Sequence, residues 1–125
     1  MEQIKSGNAP AAIGPYSQAI QCGNLVFCSG QLGLDAGTGK LVGESVEAQT
    51  REALHNLRAV LLAAGLGLDR VVKTTVFVAN MDDFPLINQV YATVFGEHKP
   101  ARATVEVARL PLDALVEIEC IACVE

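Results

Sequence analysis

His98-Lys99-Pro100-Ala101-Arg102-Ala103-Thr104-Val105-Glu106-Val107-Ala108-Arg109-Leu110-Pro111, answered by Leu115-Val116-Glu117-Ile118-Glu119-Cys120, is the stretch whose reading decides the fold. Its first arm alternates. Ala103, Val105 and Val107 fall on one face and Arg102, Thr104 and Glu106 on the other, the two-residue period of a half-buried strand. Pro100 opens this strand and Leu110-Pro111 closes it. In the second arm Val116, Ile118, Cys120, Ala122 and Val124 make a wholly apolar face, while Leu115, Glu117, Glu119, Ile121 and Cys123 make a mixed one. Pairing the arms antiparallel about a turn at residues 111–113, with Glu106 opposite Glu117, predicts a β-hairpin. Arg102, Glu106, Glu117 and Glu119 then share its mixed face, and a guanidinium with carboxylates on a largely apolar sheet requires a reason.

The rest of the chain frames that stretch. Asn8-Ala9-Pro10 and Ile13-Gly14-Pro15-Tyr16 deny the backbone a regular ladder, so an ordered loop carrying Tyr16 is expected. Residues 17–22 and 25–29 flank Gly23-Asn24, a two-residue connection of the kind that closes tight hairpins, and Ser29-Gly30 ends the second strand. Gly37-Thr38-Gly39-Lys40 does not make a phosphate loop, because Gly33 lies one residue too far away and Leu41 follows the lysine. A short strand is possible near Leu41-Val42. Ser45 is placed to cap a helix over 46–64, in which Ala53, Leu54, Leu57, Val60, Leu61 and Ala64 recur at helical spacing and which Gly65 stops. Glu47, Arg51, Glu52, His55 and Arg58 form its solvated side. Residues 71–79, dense in β-branched side chains, read as a central strand. Asp82 or Asp83 then caps a second helix with Pro85 in its first turn, buried through Phe84, Ile87, Val90, Tyr91, Val94 and Phe95, and ended by Gly96.

This order predicts an α+β domain with a mixed, mostly antiparallel sheet and two helices on one face. Two helices cover only one side of a sheet. Yet Leu25 and Phe27 oppose Val26 and Cys28 in parity, and Leu115 and Ile121 sit on the mixed face of the last strand. The uncovered side is therefore expected to pack on another copy of the chain.

At 125 residues the chain fits one domain, 1–125, able to bury roughly two-thirds of its unfolded surface. Half of the residues (50%) are hydrophobic and 18% are charged, which excludes a disordered segment. A net charge of −5 opposes phosphate backbones and argues against a nucleic-acid partner. The start, Met-Glu-Gln-Ile-Lys, lacks the apolar core of a signal peptide, and no run is long enough to cross a bilayer, so a cytoplasmic protein without a membrane partner is expected. Cys22, Cys28, Cys120 and Cys123 sit in apolar strand-like runs and read as reduced core residues. Cys120 and Cys123 point to opposite faces of one strand, which separates them as metal or redox partners. His98 reads as a solvated loop histidine.

Ala-Ile-Gly-Pro-Tyr-Ser-Gln at 12–18, Ser-Gly-Gln at 29–31, Val-Lys-Thr-Thr-Val-Phe-Val at 72–78 and Pro-Ala-Arg-Ala-Thr-Val-Glu-Val-Ala-Arg-Leu-Pro at 100–111, followed by Val-Glu-Ile-Glu, resemble the RidA/YjgF family of reactive intermediate (enamine/imine) deaminases. The match spans nearly the whole chain in order. The resemblance implies a chorismate-mutase-like α+β fold and a homotrimer with clefts between subunits. It also implies hydrolysis of 2-enamine/2-imine acids, such as 2-aminoacrylate/2-iminopropanoate and 2-iminobutanoate, to 2-keto acids and ammonia, with no cofactor and no metal. By position in the motifs, Arg102 matches the arginine that grips the substrate carboxylate and Glu117 the glutamate assigned to the water. Tyr16, Ser29, Gly30 and Asn88 match pocket positions. Thr104 stands where relatives often carry cysteine, which removes thiol chemistry from the site but leaves hydrolysis intact.

The chemistry agrees with that assignment. A guanidinium offers two parallel donors to a planar carboxylate and so fixes the adjoining C=N carbon. A carboxylate one water away can take a proton on addition and return it to the departing amine. On residue type alone, Arg102 could instead form a structural ion pair with Glu106 or Glu119, Glu119 could be the working acid, and Tyr16 and Ser29 could serve packing and strand capping. A non-catalytic module that binds 2-keto acids or similar carboxylates at the same cleft is the competing function, since Arg102 alone suffices for binding.

Overall fold

The computed structural model describes residues 1–125. In chain order it contains strands β1 (Glu2–Ile4), β2 (Ala19–Cys22) and β3 (Leu25–Leu32), helix α1 (Val46–Ala63), strand β4 (Val71–Val78), helix α2 (Phe84–Phe95), and strands β5 (Ala101–Glu106) and β6 (Val116–Cys123). Local chemistry explains most of the boundaries. Gly23 takes a φ of 60° in the tight connection between β2 and β3. Ser45, with extended backbone, accepts the Ala48 N–H at 3.1 Å and starts α1. Past its last turn Gly65 adopts a φ of 78°, and the Leu66 N–H returns to the Leu61 carbonyl at 2.9 Å. Asp83 occupies the N-cap position of α2 but makes no capping bond. The capping falls to Asn80, which accepts the Asp82 N–H at 2.9 Å and opens a 3-10 turn just ahead of the helix.

The six strands form one sheet in the order β1-β2-β3-β6-β4-β5. All pairs are antiparallel except β4 with β5. The sheet is thus mixed and mostly antiparallel, but the expected hairpin of β5 and β6 does not form. β4 lies between them, parallel to β5 and antiparallel to β6. β4, rich in β-branched side chains, is paired along both of its edges. The β4–α2–β5 passage returns β5 parallel to β4, on the edge that β6 leaves open.

That insertion changes which residues share a face. Thr74, Val76 and Val78 align with Cys120, Ile118 and Val116 on one side and with Arg102, Thr104 and Glu106 on the other. This is the face under the helices. Phe77 aligns with Glu117 and Val105, and Thr75 with Glu119 and Ala103, on the opposite, open face. Arg102 and Glu117 therefore belong to opposite faces of the sheet, and the expected shared face of Arg102, Glu106, Glu117 and Glu119 is corrected.

Leu54, Leu57, Val60 and Leu61 of α1 are buried with Val26, Val76, Val116 and Ile118 of the sheet in one core, to which α2 adds Ile87, Tyr91 and Phe95. The open face remains apolar and accessible: Leu25, Phe27 and Val105 are 37%, 44% and 42% exposed in the single chain. Smaller expectations also change. β1, a strand the sequence reading did not include, pairs with β2 through Gln3 and the buried Ile4. β3 does not stop at Ser29-Gly30. A bulge between Cys28 and Gln31 carries it on to Leu32. Near residue 41 there is only an isolated bridge, Leu34 to Leu41. Of the four thiols, Cys28 and Cys120 are buried, whereas Cys22 is exposed. No helix is long and apolar enough to cross a membrane.

Candidate active site

The residues singled out from the sequence gather into two groups, one on each side of the sheet. The first is built by β5 and α2. Phe84, Asn88 and Tyr91 recur along one stripe of α2, at the i, i+4 and i+7 positions that share a helix face. Arg102, on the helix-side face of the edge strand, extends beneath that stripe. Its guanidinium carbon lies 5.2 Å from the Phe84 ring centre and 4.7 Å from that of Tyr91. Its Nη1 donates to Asn88 Oδ1 at 2.8 Å. The Tyr91 hydroxyl is hydrogen-bonded to Thr74 Oγ1 at 2.7 Å, which fixes the ring under the cation. Burial pushes the Tyr91 phenol above its ordinary value, with the Thr74 hydrogen bond and the nearby Arg102 charge opposing, so the ring stays neutral.

Arg102 makes no ion pair. The only one in the chain joins Arg109 Nε to Asp113 Oδ1 at 2.9 Å. The structural pairing with Glu106 or Glu119 is therefore not formed, and Glu106 instead accepts the Met81 N–H at 2.8 Å. A positive fork clamped by two rings and one amide keeps its other donors for a ligand. It borders a cleft of about 390 Å³ whose walls include Asn88, Tyr91, Phe95, His98 and Lys99. His98 is half-buried there, not solvated, because its Nε2 donates to the Val71 carbonyl at 2.6 Å. Thr104 follows Arg102 on the same face of β5, beside Val76.

The second group lies at the bulge of β3, against β6. Glu117 is half-buried on the open face, opposite Leu32 in the ladder. It lies directly over Gly30: a Cβ added at Gly30 would overlap Glu117 Oε2 and sit 2.9 Å from its Cδ, so glycine is what lets the carboxylate lie down there. Ser29 Oγ donates to the Ser17 carbonyl at 2.6 Å, and the Ser29 N–H to Gln18 O at 2.9 Å, which ties the bulge to the loop that carries Tyr16. Tyr16 is 52% exposed. Burial first, and the neighbouring Glu119 charge second, raise the Glu117 carboxyl above the usual carboxylate range. A carboxyl raised this way takes and returns a proton more readily than an ordinary surface carboxylate.

The structure thus brings together Arg102, Asn88 and Thr104 on one side, and Ser29, Gly30 and Glu117, with Tyr16 at the end of the tethered loop, on the other. It does not bring the two groups together within one chain. The rings of Phe84 and Tyr91 at Arg102 were missed as site residues, although their spacing with Asn88 was legible.

Known proteins resemble this chain throughout. A RutC family protein of Pyrococcus horikoshii is 53% identical, over 97% of this chain and 96% of its own length. The 2-iminobutanoate/2-iminopropanoate deaminase of Salmonella typhimurium is 51% identical, over 95% of this chain and 94% of its own. The crystal structure of TdcF from E. coli with bound serine superposes with a TM-score of 0.94 at 43% identity, covering 98% of this chain and 98% of that chain. The model of the family described as Endoribonuclease L-PSP matches residues 6–124. With its fold and its motifs accounted for over nearly their whole length, the chain belongs to the Endoribonuclease L-PSP family, the one its sequence motifs identified as RidA/YjgF.

Proposed function

We propose that this protein hydrolyses reactive 2-enamine/2-imine acids to 2-keto acids and ammonia, in sites that each join the Arg102 side of one chain to the Glu117 side of another. The observation that carries this reading is the unneutralised Arg102 guanidinium at the mouth of its cleft. The name of the Salmonella typhimurium relative supplies the reaction, and the serine bound to TdcF shows a small carboxylate ligand in a relative of the same fold.

The chemistry follows from the two groups. Arg102 takes the substrate carboxylate by two parallel N–H donors, with its orientation set by Phe84, Tyr91 and Asn88. The protonated C=N carbon beside that carboxylate is electrophilic. Glu117 of a second copy accepts a proton from water as its oxygen bonds to this carbon, giving a tetrahedral amino alcohol. The same carboxyl then passes the proton to nitrogen; as the C–N bond breaks and ammonia departs, the carboxylate takes the hydroxyl proton, the keto group forms, and that proton leaves with ammonia as ammonium. Ser29 and Tyr16 line the Glu117 side of this site, and Thr104 the Arg102 side.

The apolar open face supplies the reason for assembly, since Leu25, Phe27 and Val105 leave water only if another copy covers them. We take the assembly to be a homotrimer acting on a small imino acid in the cytoplasm. Light scattering should then give three times the chain mass of 13.2 kDa. The reaction is tested by supplying imine from a serine or threonine dehydratase and timing keto acid. Formation faster than spontaneous decay, lost in Arg102→Ala, supports the enzyme. A rate equal to spontaneous decay, with keto acid still bound through Arg102, leaves the carboxylate-binding module in its place.

A further inference from the structure

Helix α1 presents two amides where its core-facing stripe calls for apolar residues. Gln49 and Asn56 are seven positions apart, two helical turns, and are 2% and 0% exposed. Buried amides persist when they bond to groups that would otherwise be left unpaired. Every hydrogen bond of these two side chains goes to main-chain atoms at the same end of the sheet. Gln49 Nε2 donates to Gly43 O at 2.7 Å, and its Oε1 accepts the Leu115 N–H at 2.8 Å. Asn56 Nδ2 donates to Leu32 O at 3.1 Å and to Leu34 O at 2.9 Å.

Those atoms bracket Glu117. Leu32 is its partner across the β3–β6 ladder, and Leu115 precedes it by two residues. Between them Gly33 lies so close to α1 that a Cβ there would sit 2.6 Å from the Cα and O of Gln49. Asn56 Oδ1 meanwhile is buried with no partner. An amide that leaves its own oxygen unsatisfied is not explained by its own hydrogen-bond balance, but it is explained by what its Nδ2 holds. We infer that Gln49 and Asn56 are positioning residues for the hydrolysis: from the helix side they fix the ends of β3 and β6 so that Glu117, on the open face, keeps its place over Gly30. Neither amide touches the substrate. Both act through the backbone that carries the carboxylate.

This rests on the role proposed for Glu117, and the test separates the two. Steady-state hydrolysis of dehydratase-generated imine is measured as a function of pH for Asn56→Leu, Gln49→Met, Gln49→Glu and Glu117→Gln. Asn56→Leu removes the orphaned oxygen but takes the Nδ2 donor from the Leu32 and Leu34 carbonyls, so its thermal midpoint is expected to fall, and its kinetics are measured well below that midpoint. Its kcat should fall roughly tenfold with KM within about twofold, because Arg102 is untouched, and its acid limb should move as the Glu117 environment loosens. Gln49→Met should behave alike. Gln49→Glu, which retains the acceptor for Leu115 N–H, should recover part of the loss. Parent-like kcat and pH profile in folded Asn56→Leu and Gln49→Met, with Glu117→Gln inactive, overturns the positioning role alone. An active Glu117→Gln overturns the role of Glu117 and this inference with it. Should Asn56→Leu fail to fold, the contrast between Gln49→Met and Gln49→Glu decides.

Discussion

Arg102 and Glu117 are the two side chains on which function turns, and each is held by a different physical device. Arg102 is oriented by two rings and an amide, without a carboxylate beside it. Lysine at that position keeps the charge but loses the planar fork, so Arg102→Lys is expected to lower kcat/KM by on the order of 100-fold. Glu117 is kept protonatable by burial, with Glu119 adding repulsion. The working base is the ionised form, so activity should fall as pH drops through the raised value of Glu117. Removing the like charge in Glu119→Gln should move that acid limb to lower pH, and a limb that stays put contradicts the assignment. The same shift has a consequence for stability. Between the unfolded and the raised folded value the native state holds more protons, so stability declines as pH rises through that window. Glu117→Gln should therefore melt higher than the parent near neutral pH and show no such gain at about pH 3, below the ordinary glutamate value of about 4.3. Its hydrolysis should fall by about 100-fold or more.

Elements show how far the chain could be read without coordinates. Ser45, Gly65 and Gly96 announce the helix ends because capping and left-handed turns are local, and the two-residue period of residues 101–106 and 116–123 announces their faces correctly. Replacing Ser45 by Ala should cost about 1 kcal/mol, read by chemical denaturation. What sequence could not settle was which strands are neighbours. Residues 111–113 look like a hairpin turn, yet Leu112 and Asp113 there adopt φ values of 59° and 54° and lead the chain past β4 instead of back along β5. Pairing is fixed by the demand of β4 for partners on both edges, a long-range choice invisible to a local pattern. The cost of that misreading fell on the site: each charged residue was placed on the right face of its own strand, but the two strands were joined with the wrong faces together. Cys28 and Cys120 illustrate the reverse, since their apolar setting was legible and their direct pairing across β3 and β6 was not. Hydrogen bonding to Cys28 and burial hold the Cys120 thiol well above its ordinary value, which suits it to packing.

Taken whole, the molecule has one covered and one bare face, and the proposed chemistry needs both. The helix-covered face lends Arg102 at its edge, the bare face lends Glu117, and a second copy laid across the bare face can bring one to the other. The decisive measurement mixes two inactive variants. Arg102→Ala keeps a working Glu117, and Glu117→Gln keeps a working Arg102, so co-refolding them in equal amounts should produce some sites with both groups intact. Random assembly of a closed ring of like contacts predicts recovery of about one quarter of parental activity, while either variant refolded alone stays inactive. A mixture no more active than its parents, with subunit exchange verified by mass, would contradict a site shared between chains.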